Sequence, residues 1–142
     1  MYKQMNPREL RIGNLFRDRQ SGDIIEVVEL NENTITFDAG KCLESGWQAE
    51  PIALTEKLLP KLGFIWCTGR HGEYYMHEQQ ELFRVWRHSE GSFGIGRKDL
   101  ESKDREFNTH WMTLNCKYVH QLQNLFYDIT ELELYVKEVK NG

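Results

Sequence analysis

Cysteine is scarce in this sequence, and its arrangement excludes two kinds of site that cysteine often builds in small proteins. The three cysteines are Cys42, Cys67 and Cys116, an odd number with no Cys-x-x-Cys pair. A secreted disulfide framework and a cysteine-rich zinc site both need more cysteines, or cysteines at closer spacing. We therefore expect free, buried thiols in a protein that folds in a reducing compartment.

Long hydrophobic runs and a leader segment are missing as well. No apolar run approaches the roughly 18 residues that are needed to cross a bilayer. The N-terminal segment, MYKQMNPREL, lacks the apolar centre of a signal peptide. These absences predict a soluble protein that stays in the cytoplasm and has no membrane partner.

The chain has no excess of positive charge. Its net charge is -4 and its pI is about 5.7, whereas general nucleic-acid binders usually present a net basic face. The middle third, residues 54–105, is more balanced, with nine basic and eight acidic side chains. Contact with nucleic acid through these central cations therefore stays open as an alternative.

Common catalytic and metal-binding motifs are also absent. The five histidines show neither His-x-x-x-His nor His-Glu-x-x-His spacing, and there is no Gly-x-Ser-x-Gly segment. Gly94-Ile95-Gly96 lacks the third glycine of a dinucleotide-binding loop and is typical of a tight turn or bulge. We predict a non-enzymatic protein without metal or cofactor.

Two sites that would form only in the folded chain stay open at this point. One is a thiolate pair of Cys67 with a histidine. The other is a metal site assembled from histidines on separate strands, for example His77, His88 and His110.

The hydrophobic pattern predicts an α+β protein. Apolar residues over 24–30 and 34–37 flank the turn Asn31-Glu32-Asn33, which indicates a hairpin in a small N-terminal antiparallel meander, an SH3-like half-barrel. Thr55 and Gly63 are suited to begin and end a short helix. An antiparallel sheet of four or five strands is expected next. We expect a single domain over 1–142, with 1–50 and 51–142 as candidate subdomains.

The segment KYVHQLQNLFYDITELEL predicts a C-terminal amphipathic helix followed by a last strand. Val119, Leu122, Phe126 and Ile129 recur at helical spacing and should face the core. Polar residues occupy another face of this helix. Packing alone does not require the particular side chains at three of these positions, so their role stays open: His120, Gln121 and Asn124.

The central strands carry aromatic residues interleaved with cations. Trp, Tyr and Arg are the usual anchors of protein interfaces, while stacked aromatics with cations also hold single-stranded nucleic acid. We predict that a contact surface, if present, contains six of these residues: Tyr74, Tyr75, Arg84, Trp86, Arg87 and Arg97.

Three segments resemble a family of uncharacterised small proteins from Bacteroidota genomes, their phages and mobile elements. They are LRIGN at Leu10–Asn14, PIALTEKLLPKLGF at Pro51–Phe64, and VHQLQNLFYDITELEL at Val119–Leu134. The chain departs from the family pattern at Phe126, where tyrosine is common, and at Pro60. The resemblance implies a phage or mobile-element context but carries no established activity.

This context shapes the expected function. Small acidic phage proteins without catalytic residues often act by stoichiometric binding, so we expect an anti-defence protein, most plainly an anti-CRISPR-like inhibitor of a host defence nuclease. A small module that binds RNA or single-stranded DNA is the alternative.

Overall fold

Antiparallel strands account for most of the secondary structure in the computed structural model. The structure describes residues 9–32, 34–38, 42–44, 49–69, 72–98, 109–134 and 136. Two antiparallel sheets and one α-helix lie within these residues, so the α+β prediction is confirmed. The chain divides into two compact units: residues 1–53 with 118–124, and residues 54–117 with 125–142.

The first unit is built on a five-stranded sheet with the order β4-β3-β2-β1-β5. Its strands are β1 (Leu15–Asp18), β2 (Ile24–Leu30), β3 (Thr34–Phe37), β4 (Cys42–Glu44) and β5 (Ala49–Pro51). Phe16, Val27, Ile35 and Phe37 are fully buried in its core. The predicted β2–β3 hairpin is present, because alternate apolar residues on both strands share one buried face.

The second unit contains the second five-stranded sheet, with the order β10-β9-β8-β7-β6. Its strands are β6 (Phe64–Gly69), β7 (Gly72–His77), β8 (Phe83–Ser89), β9 (Ser92–Lys98) and β10 (Thr109–Cys116). Every neighbouring pair is antiparallel. Phe83, Val85 and Ile95 are buried on one face, hereafter the core face, and this matches the predicted meander.

The helix predicted after Thr55 is replaced by a turn and a short 3₁₀ helix. The Thr55 hydroxyl accepts a hydrogen bond from the backbone N–H of Leu58 at 3.3 Å, and the 3₁₀ helix covers only Pro60–Leu62. Pro60 has no N–H to donate to the preceding turn, and its ring opposes a longer α-helix. Gly63 ends the segment as predicted, with φ of 90°. A side chain there would also meet the His77 ring at 2.9 Å.

The predicted amphipathic helix is α1 (Val119–Thr130). Val119, Leu122 and Phe126 are buried, which confirms its core-facing stripe. In the second unit, the Phe126 ring lies 5.0 Å from Phe83 and 4.6 Å from His77, centroid to centroid. Beyond the helix, residues 131–134 and 136 are not in a strand. The rest of the predicted last strand lies outside the described residues.

Replacing Phe126 with alanine should strongly destabilise the protein. The side chain is 1% exposed and packs against three rings, so its removal leaves a cavity worth about 3–5 kcal/mol. The measurement is the free energy of unfolding in denaturant. The neighbouring Tyr127 is 38% exposed, so Tyr127→Ala is the matched control and should cost far less. Equal losses for both variants would contradict this packing.

Candidate functional site

The buried amide of Gln123 holds the start of α1 against β1 and the turn before it. Its side chain is 2% exposed. Its Oε1 accepts a hydrogen bond from the backbone N–H of Leu15 at 2.9 Å, and its Nε2 donates to the carbonyl of Gly13 at 3.0 Å. Both backbone groups are partly buried, and these bonds give each of them a partner.

Asn14 and Asn124 extend the same network. The Nδ2 of Asn14 donates to Oδ1 of Asn124 at 2.8 Å, and Oδ1 of Asn14 accepts from the backbone N–H of Arg11 at 2.7 Å. Asn124 in turn donates to the carbonyl of Glu9 at 3.2 Å. Asn14 is only 1% exposed, so this polar group is buried with its hydrogen bonds made.

Gln121 caps the N-terminus of α1. Its Oε1 accepts a hydrogen bond from the backbone N–H of Tyr118, the residue before the helix, at 3.1 Å. This is the glutamine half of a capping box. The backbone N–H of Val119, also unpaired within the helix, donates to the carbonyl of Ile52 at 2.9 Å.

His120 is stacked between two aromatic rings. Its ring centroid lies 4.9 Å from that of Phe16 and 5.8 Å from that of Tyr118. Its Nδ1 is buried and has no hydrogen-bond partner among the described residues. Burial favours the neutral imidazole and lowers the pKa of His120 from its usual 6.5 to about 4.

These contacts give all three polar residues of the motif a role in packing. His120 fills an aromatic stack, Gln121 caps the helix and Asn124 joins the buried network. The sequence pattern placed them on a polar face, but it did not predict that Asn14 and Gln123 would meet in the core. Asn14 belongs to the LRIGN segment and Gln123 to the VHQLQN segment, near opposite ends of the chain. The only available signal was that both segments occur in the same sequence pattern.

A cluster of aromatic and cationic side chains lies on the face of the second sheet opposite the core face, hereafter the outer face. The Arg84 guanidinium carbon sits 4.5 Å from the centroid of the Tyr74 ring, a cation–π geometry. The Tyr74 and Trp86 ring centroids are 5.7 Å apart. We call Tyr74, Arg84 and Trp86 the aromatic–arginine cluster.

Two glycines of β9 lie opposite this cluster. Gly96 is paired with Arg84 and Gly94 with Trp86 across the β8–β9 ladder. Neither glycine adds a side chain to the outer face, and Arg84, with its guanidinium over Tyr74 on β7, is only 8% exposed. The glycine segment thus lies within a strand, and the β9–β10 ladder shifts register on both sides of Ile95, in agreement with the predicted bulge.

The other three residues of the predicted contact surface have a different position. Tyr75, Arg87 and Arg97 alternate onto the core side of their strands, at or near the rim. The Tyr75 hydroxyl donates to Oε1 of Glu56 at 3.0 Å, and Arg87 contacts Oε2 of the same carboxylate at 3.4 Å. Burial, followed by the Glu56 hydrogen bond, raises the pKa of Tyr75. The structure thus divides the six residues between two faces.

An open groove of about 440 Å³ lies beside this Tyr75–Glu56–Arg87 chain. Its walls are the segment 54–56 and the β8–β9 hairpin at 87–91, with Phe93 at its base. Arg87 and Glu90 are exposed at its rim, so the groove combines opposite charges with an apolar floor.

The two sites left open by the sequence gain no support from the described residues. No group of three or more metal-ligating side chains forms among them. His77 is buried, and its Nδ1 accepts the backbone N–H of Gln79 at 3.2 Å. His88 is exposed on β8, and the His110 side chain lies outside the described part. The thiol of Cys67 donates to the carbonyl of Ile65 at 3.6 Å.

No family model, no curated protein and no solved structure matches the chain. Within the described residues, no helix is long and apolar enough to span a membrane.

Replacing Gln123 with leucine should cost about 2–4 kcal/mol of folding free energy. The change removes the Gln123 partner of the Leu15 N–H and of the Gly13 carbonyl, which are partly buried, and each group left without a bond costs about 1–3 kcal/mol. Chemical denaturation measures the loss. Asp128→Leu on an exposed position of the same helix is the control and should change stability by less than about 1 kcal/mol. Similar losses for both variants would contradict the buried network.

His120 should make the protein sensitive to acid. The folded-state pKa of about 4 lies below the usual 6.5, so the unfolded chain binds the proton more readily. Stability from this residue is present above the usual pKa and is lost as pH falls through 6.5 toward 4. By about pH 5 the loss amounts to roughly 2 kcal/mol.

His120→Phe keeps the aromatic stack and should remove this part of the acid sensitivity. The measurement is the free energy of unfolding against pH for both proteins, since their difference isolates the histidine from other titrating groups. His88→Phe, at an exposed position, is the control and should leave the pH profile unchanged. Parallel profiles for the wild type and His120→Phe would show that His120 is not held neutral.

Proposed function

We propose that this protein acts by stoichiometric binding to a host protein, and that the aromatic–arginine cluster is the centre of the contact. The observation that carries the proposal is the geometry of Tyr74, Arg84 and Trp86 on the outer face of the second sheet. Tyrosine, tryptophan and arginine dominate the binding energy of protein interfaces.

The cluster is ordered before any partner arrives, which favours affinity. Arg84 is held over the Tyr74 ring, and its Nε–H points to the carbonyl of Glu81 at 3.5 Å. Binding therefore does not have to immobilise a freely rotating arginine, a cost of about 0.5–1.5 kcal/mol. Ile65, 49% exposed on the same face, adds apolar area beside the cluster.

The distribution of cations favours a protein over a nucleic acid. Arg84 lies on the outer face, while Arg87 and Arg97 lie on the core side of their strands. Arg87 is also close to the Glu56 carboxylate. A phosphate backbone needs several cations along one groove, and this chain has a net charge of -4.

The biological context of the proposal depends on the three sequence motifs. They support an accessory protein of a phage or mobile element in a Bacteroidota-like host. We propose that its partner is a defence nuclease, such as a CRISPR effector, which the protein inhibits by occupying its surface. An SH3-like half-barrel for the N-terminal sheet belongs to the same proposal, supported by its short antiparallel strands.

Expression in a host with active CRISPR immunity should restore infection by a targeted phage, and Trp86→Ala should abolish the effect. Removing an interface tryptophan costs at least about 2 kcal/mol, which is more than a tenfold loss of affinity. Arg97→Ala is the matched control, because Arg97 is an exposed cation on the other side of the sheet, and it should retain activity. Circular dichroism verifies that both variants fold.

Co-purification with the tagged protein should recover the nuclease at a fixed stoichiometry. Unchanged immunity together with no recovered defence component would overturn the proposal. Salt-dependent binding of RNA or single-stranded DNA in a gel shift, reduced by Arg97→Ala and not by Trp86→Ala, would instead support a nucleic-acid-binding module.

A further inference from the structure

The four edges of the two sheets differ in how they are protected from pairing with another chain. In the first sheet, the edge strands β4 and β5 have only three residues each. In the second sheet, β10 is irregular, with two register shifts against β9. Short edge strands and bulges are devices by which proteins prevent strand pairing.

The remaining edge strand, β6, has none of these devices. It pairs with β7 over six consecutive residues without a register shift, and among the described strands β7 is its single neighbour. Its sequence, FIWCTG, contains no charge and no proline. Ile65 and Trp66 are 49% and 52% exposed. A regular, uncharged and apolar edge of this kind is a template for an added strand.

The direction of the backbone groups on β6 follows from the hairpin. Gly69 and Gly72 are paired across a two-residue connection, so each donates its backbone N–H to the carbonyl of the other. From there along the ladder, non-hydrogen-bonded and hydrogen-bonded residue pairs alternate. Trp66 and Thr68 consequently direct their N–H and C=O groups away from β7. Phe64 fits this alternation, since its N–H donates to the carbonyl of Leu59 at 3.0 Å.

We propose that β6 is a dimerisation edge, on which β6 of a second copy of this chain pairs in antiparallel orientation. A two-fold axis at Cys67 sets Trp66 opposite Thr68 of the second copy, so both residues use their outward backbone groups. Ile65 then lies opposite a glycine, Gly69, which leaves room for the larger side chain. An axis at Trp66 would require Phe64, whose N–H is already used.

The neutrality of β6 favours a second copy as the occupant. Self-pairing sets each residue of β6 opposite a residue of the same six-residue strand, and this strand has no charged side chain, so the pairing meets no charge repulsion within it. The paired strands would bury both copies of Ile65 and Trp66 and extend two five-stranded sheets into one of ten strands. The dimer requires no contribution from the aromatic–arginine cluster. The dimer proposal can therefore be refuted while the proposed function stands, and the reverse is also true.

The oligomeric state in solution tests the proposal. Sedimentation over a wide range of protein concentration should show a monomer–dimer equilibrium. Thr68→Pro removes an outward N–H on an edge strand, where proline is tolerated, and takes two hydrogen bonds from the symmetric dimer. Its dimer dissociation constant should rise at least about tenfold. Trp66→Lys should have a similar effect, because an edge lysine opposes pairing.

Met112→Lys is the matched control. Met112 is 51% exposed on the opposite edge strand, β10, and its replacement should leave the dimer unchanged. A dimer that is weakened by Met112→Lys and not by the β6 variants would overturn the proposal, as would a protein that is monomeric at every concentration. A monomer whose melting temperature falls in Trp66→Lys would mean that this chain's own residues cover the edge.

Cysteine trapping tests the register. The two Cys67 residues should face each other in a non-hydrogen-bonded pair, where Cα atoms are about 4.5 Å apart and a disulfide can form. Diamide accepts the two electrons and two protons released when the thiols join. A covalent dimer should form in the wild type and in Cys42→Ser, and be lost in Cys67→Ser. A non-covalent dimer that gives no Cys67 disulfide would refute this register.

Discussion

Two buried side-chain amides form the interaction on which the first unit depends. Gln123 and Asn14 are separated by 109 residues in the chain, yet their hydrogen bonds satisfy backbone groups in the turn before β1 and at its start, and so tie α1 to both. A buried amide that makes all its bonds specifies one arrangement, because any other leaves polar groups without partners. The helix cannot rotate or slide on β1 without breaking bonds to Gly13 and Leu15. The apolar stripe of the helix provides the buried hydrophobic area, and Gln123 fixes the position of the helix along β1.

The two faces of the sheet in the second unit are built differently. The core face is closed by packed rings around Phe126. On the outer face, the Arg84 guanidinium lies over the Tyr74 ring and Trp86 lies beside the same ring, so aromatic and cationic groups pack on one another. Gly94 and Gly96, opposite Trp86 and Arg84 on β9, add no side chain to this packing.

Much of the architecture could be predicted from local pattern. The β2–β3 hairpin, the five strands of the second sheet and the stripe of α1 follow from alternation and helical spacing, since those periodicities reflect which face is buried. The short helix predicted between Thr55 and Gly63 is a turn followed by a 3₁₀ helix, because Pro60 opposes an α-helix through this segment. The network of Asn14 with Asn124 was not predictable, because these residues are far apart in the chain. Asparagine is also usually exposed, so neither residue type indicates a buried position. The division of the six contact residues between two faces depends on strand register, which pattern alone predicts only within each strand.

His120, Gln121 and Asn124 all have packing roles within the first unit. These residues form the most distinctive motif in the chain, yet each is used by a ring stack, a cap or a backbone carbonyl within the first unit. A distinctive sequence motif can therefore serve to hold the fold in one register. The second sheet carries packed aromatic and cationic groups on its outer face and an uncharged strand, β6, at one edge. The proposed contact surface and the proposed dimer edge lie on different parts of this sheet, with Ile65 between them, so the two proposals do not compete for the cluster.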